Sequence, residues 1–293
     1  MKTQFENRVM SSLLLFVDHV LLKHGDAYTN HGSYFEEVTQ NYTNFYSYGA
    51  PFKQFVSDSS ISGSPGYSAP SIMSGAHINS GGGWKFFPVG TSGMHSVNYR
   101  QGEVNLTTQI TGANRISGSY AVKDFNTYLT TLSEEEILFE TKYKVRPTTF
   151  QTTTGLPPGT QTYPAIFMKG STSENVPFAF GGSDQTNINV RMVVLADSAF
   201  NLDAACSILK DVVKTNVYLI QDELPFDAVG AYTGKAYNYT GIATGDNRVF
   251  LNKAMVSKNV GSLSAYNKIH PEMHTAFVDY ELIIARFPRK FND

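Results

Sequence analysis

His24, Asp26 and His31 fall within one short stretch, and all three are of metal-ligand type. A metal site needs such side chains to converge on one point, with a second set of groups holding them there. His24 closes a segment of helical pattern, where an imidazole interacts favourably with the helix dipole, and its position reads as structural. His270-Pro271-Glu272-Met273-His274 superficially resembles a zinc-protease helix. In that motif the Glu follows the first His directly and both His share one helical face; here Pro271 takes the Glu position. Glu134-Glu135-Glu136 offers carboxylates to a hard cation, but adjacent carboxylates point in different directions and read as a solvated turn. Asp58-Ser59-Ser60 is a turn or cap signal. Gly90-Thr91-Ser92-Gly93 lacks the spacing of a nucleophile elbow, and no strand pattern leads into it. Neither a dinucleotide fingerprint nor a phosphate loop occurs. The sequence thus assigns no catalytic, cofactor-binding or metal-binding residue, and a non-enzymatic protein without a cofactor is expected.

The stronger signal is compositional. The 293 residues include 17 Tyr and 20 Phe, while only 16% are charged, against about a quarter in an ordinary soluble domain. The aromatics sit among Asn, Ser, Thr and Gly, as in Asn41-Tyr42-Thr43-Asn44-Phe45-Tyr46-Ser47-Tyr48-Gly49. Interfaces enrich Tyr, Phe and Met and deplete Lys, Glu and Asp in the same way, so an assembly subunit is expected. A net charge of −2 gives no electrostatic footprint for nucleic acid. The longest basic cluster, Arg286-Phe287-Pro288-Arg289-Lys290, reads as a solvated tail. The single cysteine, Cys206, rules out an intrachain disulfide and reads as a small buried helix residue. Leu13-Leu14-Leu15-Phe16-Val17 is too short for a signal peptide and is interrupted by Asp18 and His19. No window is long enough to span a membrane. The sequons at Asn41, Asn105 and Asn238 read as chance.

These surfaces need a scaffold. Thr3 and Glu6 have capping-box spacing, and Phe5, Val9, Leu13, Phe16, Val17, Val20 and Leu21 follow at helical spacing, with Gly25 as the stop. A helix over 4–24 is predicted. Leu14, Leu15 and Leu22 widen its apolar face, so more than one neighbour should pack on it. Residues 26–100 are punctuated by Gly, Ser, Asn and Tyr and read as long polar–aromatic loops ordered by neighbouring subunits. Strands are predicted over 103–106, 116–122 and 125–129. Ser133-Glu134-Glu135-Glu136 has the look of a helix cap, but the two-residue period from Ile137 to Val145 outweighs it and predicts a strand. Residues 148–159, rich in Thr, Gly and Pro, form a loop, and 148–160 is the candidate boundary within a single domain over 1–293. Further strands are predicted at 163–168, 187–195 and 277–287. A second helix, capped by Asp197 or Ser198, carries Leu202, Ala205, Cys206, Leu209, Val212 and Val213 on the face toward the preceding strand. The fold class is α+β: a β-rich mixed or antiparallel sheet with an N-terminal amphipathic helix, one later core helix and long loop insertions.

Several segments, taken together, resemble structural proteins of tailed-bacteriophage virions. Tyr99-Arg100-Gln101-Gly102-Glu103-Val104-Asn105-Leu106 has their tyrosine–turn–glycine–strand look. So does the hairpin from Ile116 to Leu129, and the opening helix, the Tyr/Asn-rich stretch 28–61 and the strand-then-helix unit 187–213 resemble the same class. The resemblance covers about half the chain and is closest to the neck and tail-completion layer, the head–tail connectors and tail terminators. It implies a homo-oligomeric ring in the virion, made in the bacterial cytoplasm, contacting the portal or connector on one side and tail tube or sheath on the other. DNA would touch such a ring only passively, in its channel. Head-to-tail rings need two different sticky faces on each subunit. Tyr42, Phe45, Tyr46, Tyr48, Trp84, Phe86 and Phe87 are the expected interface anchors, since aromatic residues dominate interface hot spots. A receptor- or glycan-binding module at a baseplate or capsid surface is the alternative.

Overall fold

A computed structural model describes residues 4–38, 44–91, 93–139, 144–145, 162–177, 183–220, 225, 233–258 and 273–286. The chain opens with α1 (Phe5–Gly25). Its first turn is held by the Gln4 backbone N–H donating to Asn7 Oδ1 at 3.3 Å, whereas Thr3 lies outside the described residues. The helix ends where Asp26 turns into the left-handed region at φ 43°. Every predicted apolar position of α1 is buried except Phe5, which is partly buried. Leu14, Leu15 and Leu22 are buried too, as a helix with several neighbours requires.

Residues 26–100 depart from expectation. They hold five strands: β1 (Tyr28–Glu37), β2 (Tyr46–Gly49), β3 (Gly75–Asn79), β4 (Trp84–Pro88) and β5 (Met94–Asn98). With β6 (Glu103–Leu106) and β7 (Ile116–Lys123) they form an antiparallel sheet of order β4-β3-β7-β1-β2-β6-β5. β1 is polar, with Phe35 its single buried residue, yet it pairs with β7 residue for residue from Tyr28↔Lys123 to Phe35↔Ile116. Backbone pairing and cross-strand neighbours outweigh the loop-like composition, because strand preference depends mostly on context. Its C-terminal end then pairs with β2, so β1 belongs to both halves of the sheet. Phe35, Tyr120, Val104, Met94 and Ile78, drawn from both halves, share one core cluster. β4 also leads directly into the Gly90 turn, contrary to expectation.

Two residues after β7 the chain enters β8 (Asn126–Leu129), a strand of a second sheet. Next comes α2 (Glu134–Phe139), where a strand was expected. Ser133 N–H donates to Glu136 Oε2 at 2.7 Å and Glu136 N–H to Ser133 Oγ at 3.2 Å. This reciprocal cap satisfies two orphan donors, and Ile137 and Leu138 are buried, so the cap decides the conformation against the two-residue period. Among the described residues of the predicted strand 137–145, Ile137–Phe139 belong to α2 and β9 (Lys144–Val145) is extended, in parallel register with β10 (Thr162–Tyr163). The candidate boundary at 148–160 lies outside the described residues.

β11 (Ala165–Pro177), β12 (Asp184–Ala196), α3 (Ala199–Asp211), β13 (Asn216–Tyr218), the single-turn α4 (Tyr239–Ile242), β14 (Arg248–Lys258) and β15 (His274–Arg286) complete the chain. The second sheet has the order β13-β14-β15-β12-β11-β8 and is antiparallel except where β8 runs parallel to β11. Ile188, Val190, Met192 and Val194 share one face of β12 and join Val278, Tyr280 and Leu282 of β15 under α1 and α3. Ser198 caps α3, its Oγ accepting from Asn201 N–H at 3.1 Å. Val193, Leu195 and Phe277 point the other way and meet Ile137 and Leu138 of α2. The fold is therefore α+β, with helices packed on a β-rich frame.

The two sheets meet at α1. Asp18, in the middle of its apolar face, is 3% exposed. Both of its carboxylate oxygens accept from Lys123 Nζ at 2.8 Å; Thr127 Oγ1 adds a bond to Oδ1 and Tyr237 OH one to Oδ2, each 3.2 Å. Lys123 ends β7 and Thr127 lies in β8, so one carboxylate clamps the step from one sheet to the other. Removing one partner of a buried pair leaves an uncompensated charge, whereas replacing both by apolar residues is often tolerated. Lys123→Met should therefore destabilise the protein by about 3–5 kcal/mol in chemical denaturation. Adding Asp18→Leu to Lys123→Met should recover most of that loss.

Candidate interaction surface

The ligand-type residues do not converge. His24 is exposed at the end of α1. Asp26 Oδ1 accepts from Ser64 N–H at 3.0 Å, and His31 lies against Phe52 with ring centroids 4.4 Å apart. Among the described residues no group of three or more His, Cys, Asp or Glu side chains could hold a metal ion. His270 and Glu272 lie outside the described residues, and His274 begins β15. Glu134 is paired with Arg191 at 2.9 Å. Arg191 is also gripped by Asp279 in a two-point contact of 2.6 and 2.9 Å. Hydrogen bonds that Arg191 donates to Asp279, then to Glu134, raise the guanidinium pKa above its usual range.

Asp58 does more than cap a turn. It is fully buried, and its Oδ1 accepts from Ser60 N–H, Ser60 Oγ and Tyr239 N–H at 2.9, 2.7 and 3.0 Å. Its Oδ2 accepts from His19 Nδ1 at 2.7 Å, and the His19 ring stacks on Tyr239 at 4.3 Å. Burial pushes the Asp58 carboxyl up, but the bonds from His19, Ser60 and Tyr239 outweigh it and hold its pKa below the ordinary 3.8. The constellation ties α1 to the 57–60 segment and α4. Beside it, Asp18, Gln54, Arg100, Lys123, Thr127 and Tyr237 line a partly open cavity of about 200 Å³. Asp18 already balances Lys123 there, and the space suits several waters. Asp18, His19 and Lys123 carry no motif. The signal available in the sequence was an Asp-His pair inside the otherwise apolar stretch Leu13–Leu22, which buries only if partners are supplied.

The aromatic residues divide. Tyr42 lies outside the described residues. Tyr48 is 3% exposed; its hydroxyl donates to Ile110 C=O at 3.0 Å and accepts from Ile110 N–H at 2.7 Å, so it is a core residue. Tyr46 and Phe87 pack against the same core, half-buried. Phe45 is half-buried and lies against His95 at 4.2 Å. Trp84 and Phe86 are 45% and 49% exposed, and Tyr34, which the composition did not single out, is 49% exposed.

Pairing puts these three on one surface. Tyr34 faces Ser117, Ser117 faces His77, and His77 faces Phe86, while Trp84 sits opposite Asn79. Directly opposed residues share a sheet face, so a row crosses β1, β7, β3 and β4. His77 and Phe86 have ring centroids 5.1 Å apart, Tyr34 and Trp84 6.1 Å. Gly75 makes room for this row. A Cβ there would lie 2.5 Å from Phe86 Cζ and 2.4 Å from the Phe87 carbonyl oxygen, so only glycine lets the Phe86 ring lie across β3.

No protein-family model matches the sequence, and no curated protein matches it.

Two measurements follow from this geometry. A depressed pKa means that the Asp58 contribution is present above the unfolded value of 3.8 and is lost as pH falls through the lower folded value. Denaturation midpoints taken from about pH 6 down to pH 2 should fall at the acid end. Asp58→Asn should lower stability at neutral pH and flatten that acid limb. Tyr48→Phe should cost about 1–3 kcal/mol by leaving the Ile110 backbone groups unpaired, whereas Tyr48→Ser should cost about 3–5 kcal/mol, as for other core aromatics.

Proposed function

We propose that the protein is a non-enzymatic structural subunit of a tailed-phage virion. It assembles into a ring in the neck or tail, as a head–tail connector or tail terminator, between the portal or connector and the tail tube or sheath. The observation that carries this reading is the uncovered aromatic row of Tyr34, His77, Phe86 and Trp84. Rings of this size, ordered on a sheet face and held in position by Gly75, form a pre-set contact surface, and aromatic anchors bury much area at little entropic cost. The low charge of the chain removes the repulsion that would keep copies apart. The resemblance of the 99–106 and 116–129 segments to virion proteins supplies the setting.

The alternative, a receptor- or glycan-binding module at a baseplate or capsid surface, draws on the same row, since Asn79, His77 and Ser117 set hydrogen-bonding groups among the rings. The two readings differ in solution. Wild-type protein should form assemblies of fixed copy number at raised concentration, by solution mass and negative-stain imaging. Trp84→Ser with Phe86→Ser should keep the thermal unfolding of the monomer and lose those assemblies. A wild-type monomer that never assembles, alone or with other virion proteins, and that binds glycans overturns the ring reading in favour of the alternative.

A further inference from the structure

The six-stranded sheet has two open borders among the described residues. β8 covers β11 only from Ala165 to Met168. From Lys169 to Pro177 β11 is exposed throughout, and no described strand lies on its outer side. On the opposite border, β13 covers β14 from Arg248 to Phe250, and backbone bonds from Lys214 and to Thr215 reach Leu251. No described strand lies beyond Asn252–Lys258. An open edge is a row of unpaired N–H and C=O groups that templates pairing with another chain, and proteins normally blunt it with charge, proline or a bulge. β11 has few such devices. Its bulge lies between Gly170 and Thr172, and its proline comes last. Lys169 Nζ turns back to the carbonyls of Thr131 and Leu132 at 3.4 and 3.2 Å. Thr172 to Val176 is left with one charge, Glu174. This stretch is stiffened on its inner side, where Asn189 Nδ2 donates to Thr172 Oγ1 and Thr186 Oγ1 to Asn175 Oδ1, at 2.8 and 2.7 Å.

We propose, resting on the ring reading, that the β11 edge over Thr172–Val176 pairs antiparallel with the β14 edge of the next copy, so that the sheet runs on from subunit to subunit. Direction selects a second copy as the occupant. β14, β15, β12 and β11 are successively antiparallel, so the two borders run in opposite directions. A copy carried along the sheet by one ring step therefore presents β14 antiparallel to β11, in the geometry a ladder needs. This contact is heterologous and uses both borders of every subunit, whereas β11 meeting β11 about a two-fold axis would stop at a dimer and leave both β14 borders open. The open stretches are also offset along the strands. β11 is open alongside Asp184–Arg191 of β12, while the β15 segment beside the open part of β14 pairs with Asn189 to Val194 of β12. A sheet that closes on itself requires such a stagger.

The test uses the full-length chain. Cys206 is buried and burial pushes its thiol up to about 11, so it gives no background reaction. Glu174→Cys on the outer face of β11 is combined in turn with Lys253→Cys, Met255→Cys or Ser257→Cys on the outer face of β14, which samples the register in steps of two. Mild oxidation of the assembled protein should give a ladder of covalent multimers on a non-reducing gel for one of the three pairs, and none for any single variant. Dimers from Glu174→Cys alone would overturn the head-to-tail pairing in favour of a two-fold contact. Assemblies of fixed copy number without a ladder from any pair would overturn the edge contact and leave the ring reading standing. A protein that stays monomeric at every concentration overturns both.

Discussion

The arrangement of the molecule depends on one buried carboxylate. Asp18 sits in the apolar face of α1 and binds Lys123, Thr127 and Tyr237. Lys123 is the last residue of the seven-stranded sheet's β7, and Thr127 belongs to the six-stranded sheet. The chain changes sheet in the two residues between those strands, a sharp step that apolar packing alone would leave free to slide. Hydrophobic contact has no direction, whereas a two-oxygen grip on one ammonium group fixes position along the helix and rotation about it. The net stabilisation from such a pair is small because both charges lose their hydration. Its consequence here is geometric: it sets where α1 lies relative to both sheets. Leu22 with Val56, Ile61 and Ala121 then fills the remaining contact.

The second sheet was the more legible part of the sequence. β12 alternates over Thr186–Met192 and β15 over Val278–Leu282 because one face lies under α1 and α3, and the α3 cap at Ser198 sits where side-chain chemistry places it. The first sheet was hidden. In β1 only Phe35 is buried, so the apolar alternation that announces a half-buried strand is missing, and Asn, Gly and Ser read as loop. Its strand state comes from pairing with β7, a partner more than eighty residues away, and no local pattern reports such a partner. α2 failed for the opposite reason. The local capping signal at Ser133 and Glu136 was present, and the two-residue period starting at Ile137 outweighed it.

Which aromatic residues stay exposed was only partly legible in the sequence. Aromatic density with low charge does not separate Tyr48, locked by both backbone groups of Ile110, from Trp84 and Phe86, which remain open. That division follows from which face of each strand meets the core, and it is fixed only once register is known. Tyr34 shows the same limit from the other side. It neighbours Phe35 in a polar strand, and pleating sends the two rings to opposite faces, one into the core and one to the surface.

The exposed features share one physical logic. An aromatic row and an unblunted strand edge are both liabilities in a protein that must remain separate from its own copies. A chain with 16% charged residues has little repulsion with which to offset them. In the proposed assembly both surfaces would be covered, and a covered ring needs no polar replacement, while on the β11 edge Thr172–Val176 keeps a single charge, Glu174. The two surfaces also lie on different sheets: the row crosses β1, β7, β3 and β4, and the open edges border the sheet of β11 and β14. The Asp18 clamp holds those sheets in fixed relation, so a contact made through one sets the position of the other. In the proposed ring, edge pairing would fix the angle between neighbours, and the aromatic row would be carried at a constant orientation toward whatever layer lies above or below. Weakening the clamp would then disturb assembly even where each surface keeps its own residues, since closure of a ring depends on the angle repeated at every step.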